Sequence, residues 1–292
     1  SKRLIRAIIK EMDLDPKVYN QNYIMNRISG AKTSLITPAV YNNNFEITNT
    51  DSMAGKPQTG EIFIRYANRL KKADAMDFDD LLVKVLELFE RHPGVRDAYA
   101  ERFEHLLVDE YQDTNRTQYQ LVRLLAGPGG NLTVVGDEDQ SIYKFREADI
   151  RNILDFEKHF PGAKVVRLEE NYRSSEAVLA VANAVLASSK ARRHGKTLRP
   201  TRGAGAAVQV VAMADAATEA TWVADRIDKL IASKEARPKD IAILYRSNLQ
   251  APELESELRT RSIAHRLFGG TQTFERKEVK DLLAYLGVAL AP

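Results

Sequence analysis

Three short apolar runs, each breaking off into a polar stretch, constrain most tightly what this chain can fold into. Leu106-Leu107-Val108 runs straight into Asp109-Glu110-Tyr111-Gln112-Asp113-Thr114-Asn115. Leu132-Thr133-Val134-Val135 ends in Gly136-Asp137-Glu138-Asp139-Gln140-Ser141-Ile142-Tyr143-Lys144-Phe145-Arg146. Val165-Val166-Arg167-Leu168 leads into Glu169-Glu170-Asn171-Tyr172-Arg173-Ser174-Ser175. Short apolar runs with polar flanks read as buried strands. Consecutive strands that discharge polar residues at their C-terminal ends fit the rule that open α/β sheets bind ligands there.

The first tip carries two adjacent carboxylates, the layout of a Walker B element. There the Asp faces a nucleotide-bound Mg²⁺ and the following Glu orients a water. The order and spacing of all three segments closely resemble superfamily 1 DNA helicases of the UvrD/PcrA/Rep type. Further likeness lies upstream, at Asp77-Phe78-Asp79-Asp80-Leu81-Leu82. Downstream it continues at Ile243-Leu244-Tyr245-Arg246-Ser247-Asn248, Phe268-Gly269-Gly270-Thr271 and Arg276-Lys277-Glu278-Val279-Lys280-Asp281.

A chain of 292 residues is long enough for two domains with separate cores. The hydrophobic share of 44% and charged share of 28% are those of an ordinary globular protein. The formal net charge of +3 is too small to argue nucleic-acid binding, so any such contact must come from local patches. The absence of cysteine rules out disulfides and thiolate metal sites and fits a cytoplasmic protein. His92, His105, His159, His194 and His265 show no metal-ligand spacing. No apolar run reaches the roughly 18 residues of a membrane span, and no signal-peptide pattern follows Ser1.

Residues 1–75 read as mostly helical. Ile5, Ile8, Ile9 and Met12 fall at amphipathic spacing, and Asp15-Pro16 looks like a fresh helix start. Asn42 to Gly60, rich in Asn, Thr, Ser, Gly and Pro, reads as a loop, and helical periodicity resumes over Ile62 to Arg69. Further helices are expected over Asp77 to Phe89, Thr117 to Leu125, Ile150 to Phe160, Ala217 to Ala232, Glu253 to Arg261 and Glu275 to Leu286. Ser188 to Gly205 reads as a loop, and strands are expected at Val208 to Val211 and Ile241 to Leu244. Strand-helix alternation implies parallel βαβ units, hence an α/β fold with parallel-sheet domains. Trp222, alone on an apolar helix face, reads as core.

The resemblance sharpens these readings. It implies two RecA-like motor domains, the first represented by residues 76–165 and the second by 166–292, with residues 1–75 as a helical subdomain inserted in the first. It implies ATP and Mg²⁺ as cofactors, single-stranded DNA and single/double-strand junctions as partners, and 3′ to 5′ movement in DNA repair or replication. Asp109 then holds Mg²⁺ and Glu110 is the general base. Gln140 senses the γ-phosphate, where a neutral amide can both donate and accept. Tyr172 stacks on adenine, and Arg173 is an arginine finger whose fork clamps transition-state oxygens. Tyr143, Phe145 and Arg146 form an aromatic-basic cluster suited to single-stranded DNA, because aromatics stack on any base and cations track phosphate. Arg246, Asn248, Thr271 and Lys277 are candidate phosphate contacts. The family usually has Arg-Gly-Ala-Asp where this chain has Arg146-Glu147-Ala148-Asp149, so Glu147 sets an anion beside the presumed DNA path.

No GxxxxGK[ST] loop occurs in the 292 residues. Gly195-Lys196-Thr197 resembles the end of one, but Lys190 stands where its first glycine belongs and no strand precedes it. The expectation is therefore a central fragment of a longer helicase, poorly active or inactive in ATP hydrolysis by itself. Two other readings stand beside it: the motor of an AddA- or RecB-like helicase-nuclease, and a non-catalytic DNA-binding module. Asp139 before Gln140, where helicase-nucleases typically have Lys, favours the plain helicase.

Overall fold

Ile5, Ile8 and Ile9 share one face of α1 (Lys2–Glu11), and that face is completely buried. It meets Ile24 and Ile28 of α2 (Gln21–Thr33), Tyr41 of α3 (Pro38–Asn43), and Ile62, Phe63 and Tyr66 of α5 (Thr59–Lys72) in one apolar core. Burial of each large side chain there contributes about 1.5–3 kcal/mol. The computed structural model describes residues 1–127, 129–188 and 196–268, with Arg146 through its backbone. These fall in two compact units, Ser1–Ala206 and Ala207–Pro292.

The first unit continues through α4 (Phe45–Met53), α6 (Phe78–Arg91), α7 (Pro93–Arg102), β1 (Leu106–Val108), α8 (Arg116–Ala126) and β2 (Leu132–Val134). Two short helices follow, α9 (Arg151–Leu154) and α10 (Phe156–His159), then β3 (Glu170–Asn171), α11 (Glu176–Ser188) and β4 (Arg199–Pro200). β1 and β2 pair in parallel, Leu106 opposite Leu132 and Val108 opposite Val134. β3 and β4 form a second parallel pair. Both α6 and α8 start on capping boxes, Asp77 with Asp80 and Asn115 with Gln118, which satisfy otherwise orphaned N–H groups. The second unit packs α12 (Ala216–Ala232) on α13 (Ala251–Thr260) through Ala224, Ile227, Leu258 and Ile263.

The structure corrects several expectations. The segment from Asn42 to Gly60 is largely helical, not a loop, because its polar residues act as caps. Thr37 and Asn44 accept the Val40 and Ile47 N–H groups at 3.3 and 3.2 Å. Asp51, buried on α4, accepts Tyr41 Oη at 2.6 Å and Arg27 Nε at 3.1 Å, tying the segment to its neighbours. Asp15-Pro16 begins a single turn, not a helix. Tyr19 is buried at the end of that turn, and α2 starts only after Asn20 caps it. The helix expected over Ile150 to Phe160 breaks at Asp155, where Phe156 packs its ring edge-on against Tyr111 at 5.6 Å. The helix α7 had no counterpart in the sequence reading.

The runs Val165–Leu168, Val208–Val211 and Ile241–Leu244 form no ladder among the described residues. A strand needs a hydrogen-bonding neighbour as well as a short apolar run, and only the run is present. Ile241 and Ile243 face the second core while Leu244 is 90% exposed. Trp222 is 37% exposed and stands outside that core. The expected helix at Glu275 to Leu286 lies outside the described residues.

Candidate nucleotide and DNA site

At the end of β1 the chain turns sharply. Glu110 takes a left-handed conformation, φ 50° and ψ 44°, before the 3₁₀ turn Tyr111–Asp113. Such a backbone costs a non-glycine residue roughly 1–2 kcal/mol and is held by what surrounds it. Asp109 Oδ1 accepts the Glu110 N–H at 2.9 Å, and the Tyr111 N–H bonds Val135 O at 3.0 Å. The turn leaves the Asp109 and Glu110 carboxylates exposed at the strand tip while Tyr111 and Gln112 are completely buried.

The loop after β2 comes alongside. Gln112 Nε2 donates to Glu110 Oε2 at 2.7 Å, and Gln112 Oε1 accepts the Asp137 N–H at 3.0 Å. Asp137 caps the 3₁₀ turn Glu138–Gln140, accepting the Asp139 N–H at 2.9 Å and Gln140 Nε2 at 2.8 Å. Lys196 Nζ bonds the same carboxylate and lies 3.4 Å from Asp139 Oδ2. Burial opposes the Asp137 charge, yet the bonds from Lys196, Gln140 and the Asp139 N–H hold its carboxyl below the ordinary range. Thus Glu110 and Gln140, chosen from sequence, are linked through Gln112 and Asp137, with Asp109 bonded to the Glu110 N–H beside them. Sequence reasoning passed over Gln112 and Asp137, and treated Lys196 only as part of a false phosphate loop.

Tyr143 and Phe145 follow, their rings 5.7 Å apart, with Phe145 68% exposed. Glu147 adopts φ 62°, a conformation in which glycine is unstrained. Its side chain lies over Gly30 of α2, where a methyl group would sit 3.0 Å from Glu147 Oε1. We expect Glu147→Gly to raise stability by roughly 0.5–1 kcal/mol, the relieved strain outweighing glycine's extra freedom when unfolded. Urea unfolding of Glu147→Gly beside the unsubstituted protein measures it.

Tyr172 and Arg173 stand at the end of β3, away from this network. Asn171 Oδ1 accepts the Arg173 and Ser174 N–H groups at 3.0 and 2.8 Å, fixing the turn. Tyr172 Oη donates to Glu170 Oε2 at 2.5 Å, a bond that raises the phenol's pKa. Among the described residues no hydrogen bond or ion pair joins Tyr172 or Arg173 to Asp109, Glu110 or Gln140. In the second unit, Arg246 and Asn248 are exposed on the loop before α13, where Gln250 Oε1 accepts the Arg246 and Ser247 N–H groups at 3.2 and 3.1 Å. The Arg146 side chain, Thr271 and Lys277 lie outside the described residues.

The donor set suits a magnesium ion carried in with a phosphate ligand. Among the described residues no group of three or more His, Cys, Asp or Glu could cage a metal. Mg²⁺ does not need one, since it keeps several waters and binds through one or two carboxylates plus substrate phosphates. Asp109, Glu110 and Asp113 line one cavity of about 430 Å³ at the tip of β1. The buried Asp113 Oδ1 has no hydrogen-bond partner among the described residues, and burial, with the Glu110 charge, pushes the Asp113 carboxyl above its ordinary pKa.

Carboxylates at the tips of two parallel strands, tied together by Gln112, stand where open α/β sheets bind their ligands. Residues 1–161 match the UvrD/REP helicase N-terminal domain and residues 166–292 the UvrD-like helicase C-terminal domain. The chain belongs to the UvrD/REP helicase family, whose domains imply a RecA-like α/β fold. It is 39% identical over 292 residues to the ATP-dependent DNA helicase PcrA of Bacillus subtilis, covering 99% of this chain and 38% of that protein. The ATP-dependent DNA helicase UvrD1 of Mycobacterium tuberculosis is 39% identical over 295 residues, with the same two coverages. PcrA of Staphylococcus aureus is 38% identical over 287 residues, covering 98% of this chain and 38% of that protein. The chain thus spans 38% of the length of these relatives.

Proposed function

We propose that this chain is the central part of an ATP-dependent DNA helicase that moves 3′ to 5′ along single-stranded DNA, in repair or replication. The observation that carries the reading is the hydrogen-bonded path Glu110–Gln112–Asp137–Gln140, which joins the tips of two parallel strands. Kinship with ATP-dependent DNA helicases supports the same reading. So do the 38% coverage and the lack of a Walker A loop, which accord with a longer parent that supplies the phosphate cradle.

In this reading residues 1–75 are the inserted helical subdomain, 76–165 belong to the first motor domain and 166–292 to the second. Asp109 holds Mg²⁺, which when bound offsets phosphate charge. The exposed Glu110 carboxylate accepts a proton from the attacking water and orients it at the γ-phosphate. Gln140, its amide steadied by Asp137, donates to the same phosphate. Arg173 neutralises charge that develops in the transition state, and Tyr172 stacks on the base. Phosphoryl transfer asks for such placement and charge more than for covalent chemistry. Tyr143, Phe145 and Arg146 stack on and track single-stranded DNA, and Arg246, Asn248 and Thr271 contact its phosphates. The cysteine-free chain works in the cytoplasm, on nucleoid DNA and its strand junctions.

Unwinding by the full-length protein tests the reading. ATP should drive strand displacement from a duplex with a 3′ single-stranded tail and not from one with a 5′ tail. Displacement from the 5′-tailed duplex alone, or displacement without ATP, would contradict it.

A further inference from the structure

We propose that Gln112 is a positioning residue for hydrolysis, a buried amide through which the loop beginning at Asp137 sets the place of Glu110. The proposal rests on the reading of Glu110 as the water-orienting base. Gln112 is 0% exposed, yet both ends of its amide are used. Its nitrogen donates to Glu110 Oε2 at 2.7 Å and its oxygen accepts the Asp137 N–H at 3.0 Å. A primary amide offers donor and acceptor together, whereas a carboxylate only accepts. A buried polar group with both bonds made is rigid, because losing either leaves an unsatisfied group away from water.

The backbone is shaped to let this amide in. A Cβ at Gly136 would lie 2.7 Å from Gln112 Oε1, 2.7 Å from Ile153 Cδ1 and 3.3 Å from the Tyr111 nitrogen. The glycine therefore gives the loop its close approach. Glu110 meanwhile holds a left-handed backbone at the strand end, so its exposed carboxylate needs a side-chain anchor to stay in one place. Gln112 supplies that anchor from the turn after β1, and its oxygen is bonded to the start of the loop that also carries Gln140, Tyr143 and Phe145. A displacement of this loop reaches Glu110 through two hydrogen bonds.

The test uses the full-length protein with Gln112→Glu, Glu110→Gln and the double variant Glu110→Gln/Gln112→Glu. Gln112→Glu removes the donor to Glu110 Oε2 and sets a second negative charge against that carboxylate. We expect kcat of single-stranded-DNA-stimulated ATP hydrolysis to fall by at least about tenfold, with DNA affinity within about twofold of wild type. The KM for ATP should stay within about twofold of wild type, so that the loss falls on kcat, a split that looser packing alone does not produce. Thermal unfolding provides a readout free of chemistry. Gln112→Glu should lower Tm, and the double variant, which restores an amide facing a carboxylate, should recover most of the loss. If Gln112→Glu is too unstable for kinetics, recovery in the double variant still decides the contact. Wild-type kcat in Gln112→Glu, or no recovery of Tm, overturns the role of Gln112. ATP hydrolysis surviving in Glu110→Gln overturns instead the reading of Glu110 beneath it.

Discussion

Glu110→Gln in the full-length protein is expected to lower kcat for ATP hydrolysis about a thousandfold, within the range that a positioned general base contributes. The change is nearly isosteric and removes only the ability to take a proton. Its left-handed backbone is kept, because the Glu110 N–H bonds Asp109 Oδ1 and that contact is untouched. The new amide can turn its own oxygen to accept from Gln112 Nε2, leaving Gln112 Oε1 to accept the Asp137 N–H, so the fold should hold. Single-stranded DNA affinity should stay close to wild type, since the Tyr143 and Phe145 rings belong to a different stretch of the loop. A stopped assay for released phosphate, read beside fluorescence anisotropy of labelled DNA, separates the two effects. Equal losses in both would indicate a folding defect and count against a catalytic role.

Lys32→Met should cost about 3–5 kcal/mol of stability, the usual effect of removing one partner from a buried ion pair. Lys32 Nζ lies 2.7 Å from Asp77 Oδ2 and 2.8 Å from Asp80 Oδ1, with all three side chains nearly closed to water. Tyr66 Oη donates to Asp77 at 2.8 Å, and the ammonium sits 5.3 Å from the Tyr66 ring centre. The cluster joins α2 and α5 to the first turn of α6, so its loss parts the helical segment from the helix that leads toward β1. Burial works against the Asp77 charge, but Lys32, the Asp80 N–H and Tyr66 together hold its carboxyl below the ordinary range. A depressed carboxylate gives stability that is present above its unfolded pKa, about 4, and is lost as pH falls through the folded value. In wild type this contribution should therefore fade below about pH 4. In Lys32→Met the sign reverses. The unpaired carboxylates favour protonation, so the deficit against wild type should shrink as pH drops toward 4. Urea unfolding of both proteins across that window measures the difference. A constant deficit would mean that lost packing, not lost charge pairing, explains the effect.

What could be read from sequence depended on how local its cause was. Helices α6 and α8 were expected within one residue of their observed starts, over Asp77 to Phe89 and Thr117 to Leu125, because helical apolar spacing is a local pattern. Local composition misled over residues 42–60. Asn and Thr there look like loop formers, whereas Asn44 caps α4 by accepting the Ile47 N–H and the bond from Tyr41 to Asp51 ties that helix to its neighbour. Val208–Val211 and Ile241–Leu244 are short, largely apolar runs of strand length, but a ladder depends on a neighbour, which such a run does not encode. Asp109 and Glu110 were legible because an apolar run ending in carboxylates is a local pattern. Gln112 was not, because its bond to Asp137 spans 25 positions. Lys196 drew attention for the wrong reason, through the neighbours Gly195 and Thr197. Its actual partner, Asp137, lies 59 positions away.

Phosphate release by the wild-type full-length protein, with and without single-stranded DNA, tests most directly whether the β1 and β2 tips form a DNA-responsive hydrolysis centre. The account predicts slow hydrolysis without DNA and a rise of at least about tenfold when DNA is added. Bound DNA with no hydrolysis at all, or hydrolysis indifferent to DNA, would contradict it.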